Sequence, residues 1–201
     1  MLIARSLGWS SNFVFMDKQQ YEDYIASVVS EWAEGTIAPL FCVCGMVEEV
    51  DEFHKSITEI LQPEEVLSES GDVMFYIFCL RYLFGLDANS TKIKSISLKK
   101  KLTSESISLM KHISKHICFG SKIELDIVKK NLDLIEASIQ KQTEIYCEKF
   151  SISVDLTKII ECNFIKLTKR YPMGRNVQHV TKDTTAENEI IKKNIYGTNK
   201  A

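Results

Sequence analysis

The chain has 201 residues, enough for one domain with a sizeable core, and its 45% hydrophobic and 26% charged residues are the balance of an ordinary globular protein. A net charge of −2 excludes an overall basic field for nucleic acid. With 8 Gly and 3 Pro, long uninterrupted helices fit better than many short strands and tight turns.

In chain order, residues 1 to 15 have no clear period and read as a loosely docked arm. Arg5 interrupts their apolar run and no small-residue cleavage site follows, so no signal peptide is expected. Asp17 is a fitting N-cap for a first helix to Trp32, in which Tyr21, Tyr24, Ile25, Val28, Val29 and Trp32 recur at helical spacing. After the break "AEGTIAPL" a second helix runs from about Phe41 to Leu61. Pro63 and the acids beside it start a third, which continues to about Phe84. "KIKSISLKKKL", residues 92 to 102, reads as a solvated linker; a short helix over 103 to 118 and a long one over 122 to 149 follow. A final helix covers about 153 to 170 and stops before Pro172. From residue 175 onward a solvated or partner-docked tail is expected, beyond a single domain spanning 1 to 174. The fold class is all-α.

The apolar runs "GTIAPLFCVCGMV" and "VMFYIFCL" are too short to span a bilayer, so no membrane partner is expected. The six cysteines lack a C-x-x-C pair and read as free thiols, with Cys42 and Cys44 as buried structural ones, in a cytoplasmic protein. His112 and His116 have a spacing compatible with zinc. No glutamate follows His112 as in H-E-x-x-H and lysines flank both, so a surface face is the reading.

The chemistry gathers on the second and third helices. Met46, Val47, Val50, Phe53, Ile57 and Ile60 form one apolar face, yet Glu48, Glu49, Asp51 and Glu52 crowd four acids into five positions beside it. Glu49 and Glu52 are three residues apart and can reach one point in space. "ESGDVMFYIFCL" repeats the spacing with Glu69 and Asp72, and the apolar run after Asp72 makes an unpaired carboxylate there expensive. Most acidic stripes are solvated faces. Two such pairs on helices joined by a short connection instead point to a hard divalent cation held between antiparallel neighbours, with Mg2+ the usual choice for phosphate chemistry. Gly45 and Gly71, beside the acids, either permit close helix approach or are tolerated drift.

These residues resemble the MazG-like, all-α nucleoside triphosphate pyrophosphohydrolases, whose E-E-x-x-E and E-x-x-D signatures match Glu48-Glu49-Val50-Asp51-Glu52 and Glu69-Ser70-Gly71-Asp72. "ECNFIKLTKRYPMG" resembles the closing segment of that family; residues 87 to 152 are the least matched and read as a helical insertion. The resemblance implies Glu49, Glu52, Glu69 and Asp72 as metal ligands, and Glu48 and Glu49 as the catalytic acids. It implies Lys55, Lys166, Arg170 and Tyr171 on the triphosphate and Asn163 on sugar or base. Lys166 and Arg170 also suit a last helical turn simply as partners of its dipole. The implied reaction releases pyrophosphate from a (deoxy)nucleoside triphosphate. Mg2+ is the cofactor, with Mn2+ as a substitute, and a homodimer or homotetramer is the assembly. Two alternatives remain open: a non-catalytic helical protein that keeps the acids to hold a nucleotide or partner, and an enzyme specific for dUTP or dCTP.

Overall fold

The computed structural model describes residues 17–32, 35–87, 102–170 and 184–196. The expected arm at 1 to 15, all of the lysine-rich stretch but Leu102, Tyr171 and the side chain of Arg170 lie outside the described residues. Among those described there are seven helices and no strand: α1 (Lys18–Trp32), α2 (Ala38–Thr58), α3 (Pro63–Leu83), α4 (Leu102–Phe119), α5 (Leu125–Glu148), α6 (Leu156–Arg170) and α7 (Thr184–Tyr196).

The helix starts follow local chemistry. Asp17 and Gln20 cap α1 reciprocally: Asp17 Oδ1 accepts from the Gln20 amide at 2.8 Å, and Gln20 Oε1 accepts from the Asp17 amide at 2.9 Å. Pro63 opens α3 and the Glu65 carboxylate accepts from the Gln62 amide at 3.0 Å. On α6, Asp155 Oδ1 accepts from the Lys158 amide at 2.9 Å. Gly120 closes α4 at φ +65, where its amide reaches His116 O and the Ser121 amide reaches Lys115 O, a left-handed cap that favours glycine.

α3 is the centre of the fold and packs against α1, α2, α5, α6 and α7. Its sequence explains this, since Val73, Met74, Ile77, Phe78, Cys79 and Leu80 surround the helix and all are buried. α2 lies between α3 and α4 with Met46, Val50 and Phe53 fully buried. Ile60 departs from the expected apolar face. It lies past the end of α2 at φ +56, which breaks the 100° phase, and is 74% exposed. Cys42 is buried as expected but Cys44 is exposed, because two residues along a helix turn by about 200°. All six cysteines are free.

The helix over 156 to 170 is not the last. Where a tail is expected, α7 docks on α3 and α6 with Ile191 fully buried. Lys158 Nζ donates to Asn194 O at 3.0 Å and to its Oδ1 at 2.8 Å. No helix among the described residues is long and apolar enough to cross a membrane.

Candidate metal centre

Carboxylate oxygens of Glu49, Glu69 and Asp72 lie within 4.8 Å of one another, the one group of three or more His, Cys, Asp or Glu with such proximity among the described residues. Glu49 comes from α2, Glu69 and Asp72 from the facing side of α3. Glu49 and Glu69 are half-buried and Asp72 is buried. Glu52 stands outside this group and is exposed. Three residues along α2 advance 300°, so Glu52 sits about 60° round the helix from Glu49, on the solvent side. Glu48 and Lys55 are exposed too, and Lys55 Nζ pairs with Asp51 one turn back at 2.7 Å.

Asp72 is held on both oxygens. Asn163 Nδ2 donates to Oδ1 at 3.0 Å, and the ammonium of Lys166 donates to Oδ2 while also reaching Ser68 Oγ at 2.9 Å. Asn163 and Lys166 are both on α6 and almost wholly buried. The resemblance implies substrate contacts for them; in the structure both reach Asp72. Tyr21, from α1, donates to Asn163 Oδ1 at 2.6 Å. Neither this role of Tyr21 nor the approach of Tyr76 to Glu49 is marked in the sequence, where each is one more periodic aromatic. Burial, then the charge of Glu49, raises the Tyr76 phenol above its ordinary value.

Both glycines serve close approach. A Cβ on Gly71 would stand 2.7 Å from Asn163 Cβ, so its absence lets α6 deliver Asn163 to Asp72. A Cβ on Gly45 would press nearest on Tyr76 Cζ, with Cε1 and Oη at 2.7 Å. Alanine gains roughly 1 kcal/mol of helix propensity over glycine at either position. At Gly71 the obstacle is a Cβ fixed to a packed helix, so overpacking of about 1–3 kcal/mol outweighs that gain. At Gly45 the obstacle is the far end of a half-buried side chain, which yields at less cost than a Cβ. Urea unfolding should therefore show Gly71→Ala to be the less stable of the two variants.

Burial pushes the Glu49 carboxyl from its ordinary 4.5 up to about 8, helped by the charges of Asp72, Glu69 and Glu52 and opposed by Lys166. Its Oε2 is buried and has no hydrogen-bond partner among the described residues. Between about 4.5 and 8 the folded chain keeps a proton that the unfolded chain has lost. Stability from this group is therefore full below that interval and falls as pH rises through it. A divalent cation held by this carboxyl would reverse the trend, because it binds the ionised form. The expected result is a Mg2+-induced rise in unfolding temperature that is larger near pH 8 than near pH 6, and an unchanged rise would remove Glu49 from the ligand set.

The donor set suits a hard divalent ion. It is all oxygen, from three carboxyl groups, and one buried oxygen of Glu49 has no hydrogen-bond partner among the described residues. The two histidines form no rival centre: His116 Nδ1 donates to Ser121 O at 2.7 Å and His112 Nε2 accepts from the Glu124 amide at 3.3 Å. Both close the turn between α4 and α5. Compared with known protein families, with curated proteins and with solved structures, the chain matches none of them.

Proposed function

We propose that this chain is a Mg2+-dependent pyrophosphohydrolase of the MazG-like kind, which releases monophosphate and pyrophosphate from (deoxy)nucleoside triphosphates. The observation that carries the reading is the convergence of carboxylate oxygens of Glu49, Glu69 and Asp72, with a buried Glu49 oxygen that has no hydrogen-bond partner among the described residues. Those three residues would hold the ion, with Glu52 at the rim. A divalent ion there supplies charge neutralisation and Lewis acidity for phosphate chemistry. Hydrolysis adds water across one P–O bond of the α–β anhydride, and the exposed Glu48 takes the proton. Lys55 contacts the departing phosphates. Its present partner Asp51 offers only an exposed, water-screened pair that a phosphate can replace. A homodimer or homotetramer completes the proposal, supported by Leu125 and Ile127, which leave apolar surface exposed at the start of α5.

Pyrophosphate release across the common NTPs and dNTPs is the test, run with Mg2+, with EDTA, and with Glu49→Gln and Asp72→Asn. Release should require Mg2+ and fall at least about a hundredfold in either variant. Parental activity in both variants would remove the site. The pairing of Asp72 with Lys166 favours a second reading, a site neutralised by its own lysine that binds a nucleotide or a partner without turnover. Mg2+ and triphosphate binding with no pyrophosphate formed would decide for it.

A further inference from the structure

We propose that Tyr21 is a positioning residue of the acidic centre, acting through Asn163 to set how Asp72 presents its carboxylate to Glu49 and Glu69. The inference rests on the reading of Asp72 as a metal ligand. Tyr21 has no solvent exposure. Its hydroxyl donates to Asn163 Oδ1 at 2.6 Å, and Asn163 Nδ2 donates to Asp72 Oδ1 at 3.0 Å. Phe78 pins the phenol ring edge-on, with centroids 5.1 Å apart and planes at 88°. Burial above all, and then the nearby Cys79 and Asp72, raises the phenol well above its ordinary value, so the hydroxyl keeps the proton it donates.

The side-chain amide of Asn163 has one accepting end and one donating end. With its oxygen taken by Tyr21, its nitrogen must face the carboxylate; reversed, two oxygens would meet at Asp72. Lys166 holds the other carboxylate oxygen, but an ammonium is a compact point charge with rotatable donors. Angular control therefore falls to the planar amide and to the phenol behind it. Many buried tyrosines find some partner. This one differs in where its chain of hydrogen bonds ends, on a carboxylate that shares a 4.8 Å cluster with two others. Three helices meet on that single group, and the missing Cβ of Gly71 gives Asn163 the room to reach it.

Mn2+ is the probe, with free ion counted by electron paramagnetic resonance on the full chain. Tyr21→Phe keeps the ring and drops the hydroxyl, and should weaken Mn2+ binding about tenfold or more. Asn163→Ser should weaken it comparably, and the double variant should bind no more weakly than Asn163→Ser alone, as members of one hydrogen-bonded chain require. Phe78→Leu loosens the packing around the same ring without touching that chain. It should lower the unfolding temperature and leave Mn2+ affinity within about twofold of the parent. Parental affinity in Tyr21→Phe overturns the inference, as do an equal loss in Phe78→Leu or additive losses in the double variant. A parent chain that binds no Mn2+ overturns the metal reading and this inference with it. Binding by the parent together with parental affinity in Tyr21→Phe overturns this inference alone.

Discussion

Arg81→Met should destabilise the fold by about 3 kcal/mol, the lower end of what breaking a buried ion pair usually costs. Arg81 is 2% exposed, and its Nη2 donates to Asp133 Oδ1 at 2.7 Å while standing 2.7 Å from Glu136 Oε2. Both carboxylates sit on α5 and are themselves 3% exposed. Two lysines join the group, Lys18 at 3.2 Å from Glu136 and Lys129 at 3.4 Å from Asp133, both at its wetter edge. Taking Arg81 away leaves two desolvated acids to these more distant lysines, which keeps the loss at the low end of the range. For a chain of this size about 3 kcal/mol corresponds to a fall of roughly 6–12 °C in unfolding temperature. Adding Asp133→Asn and Glu136→Gln should return most of the loss, because the penalty belongs to the uncompensated charges and not to the missing side chain. Arg81 lies nine residues beyond Asp72, about 13 Å along α3, so Mn2+ affinity should not change. A thermal melt of the variants together with Mn2+ titration checks both halves. An Arg81→Met chain that melts with the parent would mean that the network contributes nothing.

The parts of this fold that are legible in the sequence are those fixed by local spacing. The apolar stripe of α2, the continuous apolar coat of α3 and the capping residues Asp17 and Pro63 each act within a few residues of themselves. Glu49, Glu69 and Asp72 are legible as candidates for the same reason. Spacing alone does not say which member of an i, i+3 pair turns inward, so it groups Glu52 with Glu49 although Glu52 faces water. α7 escapes because its buried face is half polar: Glu187 is buried beside Ile191, and an amphipathic period is hard to find in such a helix. The supports of Asp72 escape for a different reason. Lys166 is 94 positions away in the chain and Asn163 is 91, and no local pattern can register a partner at that distance. A lysine near the end of a helix already satisfies two ordinary expectations, the helix dipole and a phosphate ligand. Nothing in its neighbourhood signals that it is wholly buried against an acid.

Lys166→Met should be the most informative loss in the site. Methionine matches the lysine stem in length and apolar packing, so the change removes little besides the charge and its three donated contacts. Asp72 then keeps Asn163 but loses the ammonium that pairs with it, and Ser68 loses the donor to its hydroxyl oxygen. Stranding a buried carboxylate in this way costs about 3–5 kcal/mol, so the metal-free variant should unfold roughly 10 °C below the parent. The response to Mg2+ tests whether the acids take a divalent ion. If the acids are built for a divalent ion, that ion supplies the charge that Lys166 no longer does. At about a hundred times its Kd, bound Mg2+ stabilises any folded chain that takes it up by about 2.7 kcal/mol. With one positive charge fewer at the acids the affinity rises, so at a fixed Mg2+ concentration Lys166→Met should gain more unfolding temperature than the parent gains. If the acids take no metal, Mg2+ will return nothing to the variant, and the deficit will be the same with the ion as with EDTA.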